Sequence, residues 1–556
     1  MNASKSLTGA QLMVKCLEHN SVKFVFGIPG AKIDALFDAL LDSPIRVILC
    51  RHEQNAAFMA AAYGRITGEP GVVAVTSGPG VCNLTTGLLT ATTEGDPIVA
   101  IGGSVSRTMQ LKNSHQNTDN TRVMEAATKK SVSINNAENI PEVIENMFRI
   151  AKASRKGACF ISVPIDVLQE KTIESALVQS RPIHYGMAPE SELKLASELI
   201  SEASLPVLFF GEDASFGRNV EPLRKLVQKH NLPVVSTYQG AGVISRELIT
   251  NFVGRVGLFK NQPGDKLLDE ADLVITVGYN PVEYDPEVWN SSRSKKIIHI
   301  DSVPAQIHTC YQPLVEILGD ISYNIKFLSA LLCVNISEES RKKITSLHGE
   351  LFKNLSYTPA KSTDGKIHPI DFIHALRTLI TDDDLIMCDI GTVYMWMARY
   401  FFVYRPRQIF FSNGQQTLGV ALPWAIGAKL TCPEKRIFSI SGDGGFLFSS
   451  MELETAVREK VHFIHFIWTD GTYNMVLEQE LLKYNRKSGV DLGKIDIVSY
   501  AKAFGAIGFK MNSITDFKQI MNEALKSEVP VLIDIPVDYS SNKELFITLN
   551  NNISME

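Results

Sequence analysis

One recurring pattern limits what this chain can fold into: a short, mostly β-branched apolar run, then a turn carrying glycine, then a helical stretch. It appears in KFVFGIPGAKIDALFDALL (23–41), IRVILCRHEQNAAFMAAAYGRITG (45–68) and GVVAVTSGPGVCNLTTGLLTAT (71–92). Apolar runs of this length suit strands buried on both faces. Strands alternating with helices imply parallel α/β sheets. Right-handed crossovers bring every strand-to-helix turn to one edge of such a sheet, and ligands bind at that edge.

The pattern falls into three blocks, within the range expected of 556 residues. The first, 1-170, closes on ACFISVPIDV, and the polar stretch 168–190, with Pro182 and Pro189, reads as a linker. The second, 190-340, holds PVLFFGEDA, LPVVSTYQGAG, DLVITVGYN and KIIHIDSVP. Residues 334–368 are polar and rich in Lys and Ser, which predicts a helix and a second linker. The third, 365-545, holds LIMCDIGT, QIFFSNGQQ, KRIFSISGDGG, VHFIHFIWTDGTYN and PVLIDIPVD. The expected class is α/β, with three doubly wound parallel-sheet domains. Ala- and Gly-rich helices follow the turns in the first and third blocks, which hints at a duplicated fold.

Charge and cysteine content narrow the function classes. The 55 Lys and Arg against 60 Asp and Glu give a net charge of −5, with no basic block. Binding nucleic acid through its phosphates needs a concentrated cationic face, so no nucleic-acid partner is expected. No apolar run is long enough to span a membrane. The N-terminal stretch is broken by Lys15, Glu18 and His19 and does not read as a secretory signal. The 8 cysteines are scattered without a CxxC pair, as in a reducing compartment, so a cytoplasmic protein is expected.

The strongest chemical signal is SISGDGGFLFSSMELETAVRE (439–459), followed by FIWTDGTYNMV (466–476). Gly442 and Gly444 flank Asp443 at a strand end, where glycines let backbone amides approach an anion. A helix starts just beyond, and its N-terminus favours phosphate. Asp470 ends the next strand, 27 residues after Asp443. One helix and one strand return the chain to the same sheet edge, so the two carboxylates converge there. A main-chain carbonyl near Thr472 adds a third oxygen, a set that suits Mg²⁺ shared with substrate phosphates. A tight turn alone would explain the glycines, but not Asp470 at this spacing. A second signal is Glu53, which follows the strand IRVILC and opens an Ala-rich helix. A carboxylate among Ala and Phe is expected to be desolvated and suited to sharing a proton with a ring nitrogen.

On these motifs the sequence resembles the thiamine diphosphate enzymes, whose diphosphate-anchoring motif begins GDG and closes at Asn or Asp. Asp470-Gly471-Thr472 departs from the common Asn-Asn ending but keeps an oxygen ligand. GIPGAK (27–32), TSGPGVCN (76–83), GRVGLFKNQPGDKLL (254–268) and SNGQQTLGVALPWAIGA (412–428) resemble the acetolactate synthases, particularly their catabolic, pyruvate-specific branch. The resemblance runs over nearly the whole chain. It implies pyrimidine-binding, middle and diphosphate-binding domains, with thiamine diphosphate and Mg²⁺ as cofactors. It also implies a homodimer or homotetramer, in which the first domain of one subunit faces the third domain of another. The implied reaction condenses two pyruvates to 2-acetolactate and carbon dioxide through a hydroxyethyl carbanion-enamine. The alternatives are another thiamine diphosphate-dependent 2-keto acid decarboxylase or lyase, a pyruvate oxidase, or a non-catalytic nucleotide-binding protein.

The same resemblance assigns roles. Glu53 hydrogen-bonds the aminopyrimidine, bordered by Pro29 and Asn83. Gly391, Thr392, Asn413, Gly414 and Gln415 surround the diphosphate and pyrimidine, with Gly442, Asp443, Gly444, Gly445, Tyr473, Asn474 and Met475. Leu418 supports the bent cofactor, a case of orientation set before reaction. Asp443, Asp470 and the Thr472 carbonyl hold the metal. Gln116 hydrogen-bonds a reacting oxygen, and Lys32 attracts a pyruvate carboxylate. Biosynthetic relatives place a Trp where this chain has Gln479, which argues for pyruvate as second substrate. The middle block lacks a GxGxxG fingerprint, and no FAD is expected.

Overall fold

In the computed structural model, which describes residues 6–178, 180–258, 260–356, 358–360 and 365–546, the three blocks form three six-stranded parallel sheets. The first contains β1 (Phe24–Ile28), β2 (Arg46–Leu49), β3 (Gly71–Val75), β4 (Ile98–Ser104), β5 (Lys130–Ser133) and β6 (Ala158–Pro164), in the order β2-β1-β3-β4-β6-β5. The middle sheet contains β7 (Pro206–Phe210), β8 (Val234–Ser236), β9 (Phe252–Arg255), β10 (Leu273–Val277), β11 (Lys296–Asp301) and β12 (Val315–Leu318). Its order is β9-β8-β7-β10-β11-β12, that of a dinucleotide-binding sheet. The third contains β13 (Leu385–Cys388), β14 (Ile409–Phe410), β15 (Ile437–Gly442), β16 (Ile464–Thr469), β17 (Ile507–Lys510) and β18 (Val531–Pro536).

The order of the third sheet, β14-β13-β15-β16-β18-β17, repeats that of the first strand for strand. This fits the shared pattern of their sequences. Every residue of β3, β4 and β6 is buried, as strands covered by helices on both faces should be. The stretch 168–190 contains the short strand Lys171–Thr172, paired antiparallel with Leu7–Thr8. The predicted helix of the second polar stretch is Glu338–Leu355.

The first and third domains of one chain are joined by helices α1 (Glu53–Thr67) and, following Leu418, α2 (Ala421–Thr431). Small residues let these helices meet almost backbone to backbone. Ala56, Ala57, Ala60 and Ala61 share one buried cluster with Ala421, Ala425 and Ala428. A Cβ on Gly427 would lie 2.4 Å from the Met59 carbonyl oxygen, so no side chain fits there. At the far end of α1, Arg65 makes a bidentate pair with Asp96, at 2.7 Å for each bond. Its Nη2 lies 3.7 Å from Glu94, and its guanidinium stacks on Phe410 and Trp424 of the third domain. Burial pushes the Glu94 carboxyl up to about 7, and Arg65 opposes that shift.

Arg65→Met would leave Asp96 and Glu94 buried without their cation. The expected loss is about 3–5 kcal/mol in chemical unfolding. A loss under about 1 kcal/mol would mean that this pair does not secure the domain contact.

Candidate active site

The first cluster lies at the carboxyl edge of the first sheet. Glu53 opens α1 just past the end of β2 and is only 9% exposed. Asn83 Nδ2, on helix Pro79–Thr93, donates to Glu53 Oε2 at 2.9 Å. A Cβ on Gly80 would lie 3.4 Å from Glu53 Oε1, so the glycine leaves room beside the carboxylate. Gln116 packs close to Gly78, where an added Cβ would lie 3.5 Å from its Cα. Gln116 has φ +56°, a left-handed conformation uncommon outside glycine and often found at functional sites. Pro29 is exposed on the loop after β1, and the neighbouring Gly30 lies against Thr76. Lys32, on the same loop, is half-buried, and its carbonyl lies against Gly103 at the end of β4.

The second cluster lies at the switch point of the third sheet, between the ends of β13 and β15. A cavity of about 250 Å³ opens there. Gly391, Thr392 and Leu418 line it, with Gly442, Asp443, Gly444 and Gly445. Asp470, Thr472, Tyr473, Asn474 and Met475 line it too. Gly391 has φ +115° and is the N-cap of helix α3 (Thr392–Tyr400), with open space where a Cβ would point. Helix α4 (Asn474–Tyr484) also begins at the cavity, and Thr392 Oγ1 donates to Asn474 Oδ1 at 2.9 Å. Two helix N-termini with free amides favour a phosphorylated group.

The two aspartates are fixed from behind. Gly471 N donates to Asp443 Oδ2 at 2.7 Å and Gly444 N to Oδ1 at 2.9 Å. Thr472 Oγ1 donates to Asp470 Oδ2 at 2.6 Å. Burial pushes both carboxyls up, and the neighbouring Asp470 charge adds to the rise at Asp443. Two neighbouring desolvated carboxylates favour a bound cation. Among the described residues, no group of three or more His, Cys, Asp or Glu side chains is arranged to hold a metal. The pair therefore suits a hard cation completed by a main-chain carbonyl, water and phosphate oxygens, and this donor set fits Mg²⁺ with a diphosphate.

Three predicted cofactor residues point elsewhere in this chain. Asn413 Nδ2 donates to the Glu283 carbonyl at 2.8 Å. Gly414 N donates to Glu94 Oε1 at 2.7 Å, and Gln415 Nε2 to Thr93 Oγ1 at 3.1 Å. All three face the first and middle domains and do not line the cavity. Gln416 lines it instead, with φ +48° turning the chain between Gln415 and Leu418. Gln479 lies one turn beyond Met475 on α4, half-buried and outside the cavity lining. The sequence reading also missed Tyr539, which lines the cavity just past β18. Its position after a strand end at the binding edge was the available signal. Among the described residues no first-domain residue lines the cavity, so the Glu53 cluster and the Asp443 cluster are separate within one chain.

The chain matches three family models: thiamine pyrophosphate enzyme N-terminal TPP binding domain over residues 7–123, central domain over 193–331 and C-terminal TPP binding domain over 389–535. It is 48% identical to a Bacillus subtilis (strain 168) acetolactate synthase, across 97% of this chain and 94% of that protein. It is 43% identical to the catabolic acetolactate synthase of Raoultella terrigena, across 96% of each chain. Identity to a probable acetolactate synthase large subunit of Methanocaldococcus jannaschii is 32%, across 96% and 92%.

Protons compete with a cation at carboxyls whose pKa is raised. Mg²⁺ affinity, measured by calorimetry with thiamine diphosphate present, should fall as pH drops from 7 to 5. Asp470→Asn should weaken it at least about tenfold at pH 7. Affinity that stays unchanged in the variant would remove Asp470 from the metal site.

Proposed function

The chain belongs to the thiamine pyrophosphate enzymes, within the acetolactate synthase family, and on that premise we propose that it condenses two pyruvates to 2-acetolactate and carbon dioxide. The observation that carries the reading is the Asp443–Asp470 pair in a glycine-lined cavity, within a chain that matches acetolactate synthases along almost its full length.

Asp443, Asp470 and the Thr472 carbonyl would hold Mg²⁺ against the diphosphate, with Gly391, Gly444 and the start of α4 receiving its oxygens. Bound thiamine diphosphate supplies an acidic carbon and an electron sink for cleavage of the bond to the pyruvate carboxylate. Glu53, held by Asn83, would share a proton with a pyrimidine ring nitrogen of the bound cofactor and promote loss of the proton from its acidic carbon. Leu418 lines the cavity and would support the bound cofactor. Gln116, fixed in its turn beside Gly78, hydrogen-bonds a reacting oxygen. Lys32 attracts a substrate carboxylate, and Gln479 stands on the second-substrate side of α4.

The Glu53 face and the Asp443 cavity complete each other only across two copies, so the functional unit is a homodimer or a larger homo-oligomer. Exposed apolar side chains around the cavity support this. Helix α4 buries none of its residues, and Val476, Leu481, Leu482 and Phe448 are 41–48% exposed. We place the protein in the cytoplasm; among the described residues no helix is long and apolar enough to cross a membrane. The reading assigns no role to FAD. In support, the switch point of the middle sheet is packed with side chains. Glu283 accepts from Thr237, Asn280 and Glu212 there, and a Cβ on Gly211 would lie 2.4 Å from Tyr279 Cα.

Incubation with pyruvate, Mg²⁺ and thiamine diphosphate should give acetolactate, and omitting either cofactor should abolish it. Acetaldehyde would indicate a decarboxylase, acetyl phosphate an oxidase, and no product would overturn the proposal. Glu53→Gln should keep cofactor binding by calorimetry while turnover falls at least about 100-fold; unaltered turnover would remove Glu53 from the mechanism.

A further inference from the structure

We propose that Asp389 is a positioning residue for this reaction: its carboxylate, at the end of β13, fixes the turn that projects Leu418 into the cavity. The inference rests on the cofactor reading above. Asp389 is 1% exposed and does not line the cavity, although its neighbours Ile390 and Gly391 do. Its oxygens accept from Gly419 N at 2.9 and 3.1 Å, from Ala421 N at 3.4 Å and from Ile390 N at 2.8 Å. The first two amides belong to the turn that starts α2, directly after Leu418. The N-cap of that helix is Val420, whose side chain accepts no hydrogen bond. Asp389 therefore caps from another strand a helix that cannot cap itself, and a carboxylate at a helix start is favoured by the dipole.

Packing leaves the turn little freedom. Gly419 has φ +85°, and a Cβ there would lie 2.5 Å from Phe448 Cβ. On the other side of the carboxylate, a Cβ on Gly445 would lie 3.1 Å from Asp389 Cγ. One buried carboxylate thus touches three of the segments that line the cavity: the turn after β13, the Leu418 turn and the GDGG turn. Burial pushes its pKa up to about 6, with the backbone donors opposing the rise. A residue needed only for the fold would not act through Leu418, whereas a positioning residue must.

The test is a double-mutant cycle with Asp389→Asn, Leu418→Ala and the pair. Asp389→Asn should keep its far-UV circular dichroism while kcat falls about 10- to 100-fold, as misplacing a support by about 1 Å can do. KM for pyruvate should change by less than about threefold. The pair should lose no more than about twofold beyond Leu418→Ala alone. The near-UV circular dichroism of bound cofactor, read without substrate, should shift in Asp389→Asn as it does in Leu418→Ala. Should Asp389→Asn not fold, Gly445→Ala, which displaces the carboxylate without removing it, should give the same pattern. Retention of kcat within about twofold, or losses that multiply in the pair, would overturn the inference. Wild-type protein that binds no thiamine diphosphate by calorimetry would overturn the cofactor reading too. Normal wild-type binding with a wild-type-like Asp389→Asn would overturn the inference alone.

Discussion

The first and third domains are held together by a buried carboxylate at the start of α1. Glu452, fully buried, follows the GDGG turn and accepts from the backbone amides of Arg51 at 2.9 Å and His52 at 3.0 Å. It also accepts from Asn55 at 3.2 Å and from Thr455 at 2.7 Å. Arg51, His52 and Asn55 flank Glu53, and Thr455 belongs to the third domain. A carboxylate taken out of water needs such donors, and here they come from two domains. Its burial pushes its pKa up, and every donor opposes the rise. The domain contact therefore places the Glu53 helix and the GDGG turn in fixed relation within one chain.

That relation explains why two half-sites of one chain can each be well formed and still not meet. α1 starts beside Glu452 and packs along α2, and Glu53 is not among the residues that line the cavity with Leu418 and the GDGG turn. The repeated strand order of the first and third sheets gives both half-sites the same address, the carboxyl edge at the switch point. In the proposed dimer, a second copy related by a two-fold axis brings unlike edges together twice and forms two equivalent sites.

The architecture was legible because fully buried parallel strands leave a plain signature of short β-branched runs between glycine turns. Asp443 and Asp470 were legible for a topological reason: residues that end successive parallel strands must share an edge. Glu53 was legible as a carboxylate opening an Ala-rich helix, but the reason for the alanines was not. They serve the contact with α2, which depends on pairing distant segments. Within one chain Asn413, Gly414 and Gln415 hydrogen-bond away from the cavity, and the left-handed Gln416, which lines it, is a local turn that leaves no pattern in the sequence. Asp389 was read only as part of a strand, since capping a helix from another strand leaves no local pattern.

The central claim, that one active site is built from two copies of this chain, is tested most directly by mixing two inactive variants. Glu53→Gln and Asp443→Asn proteins, allowed to exchange subunits in equal amounts, should regain about one quarter of wild-type activity, because each mixed dimer contains one intact site. If mixed dimers form and no activity returns, both half-sites belong to the same chain and the account is wrong.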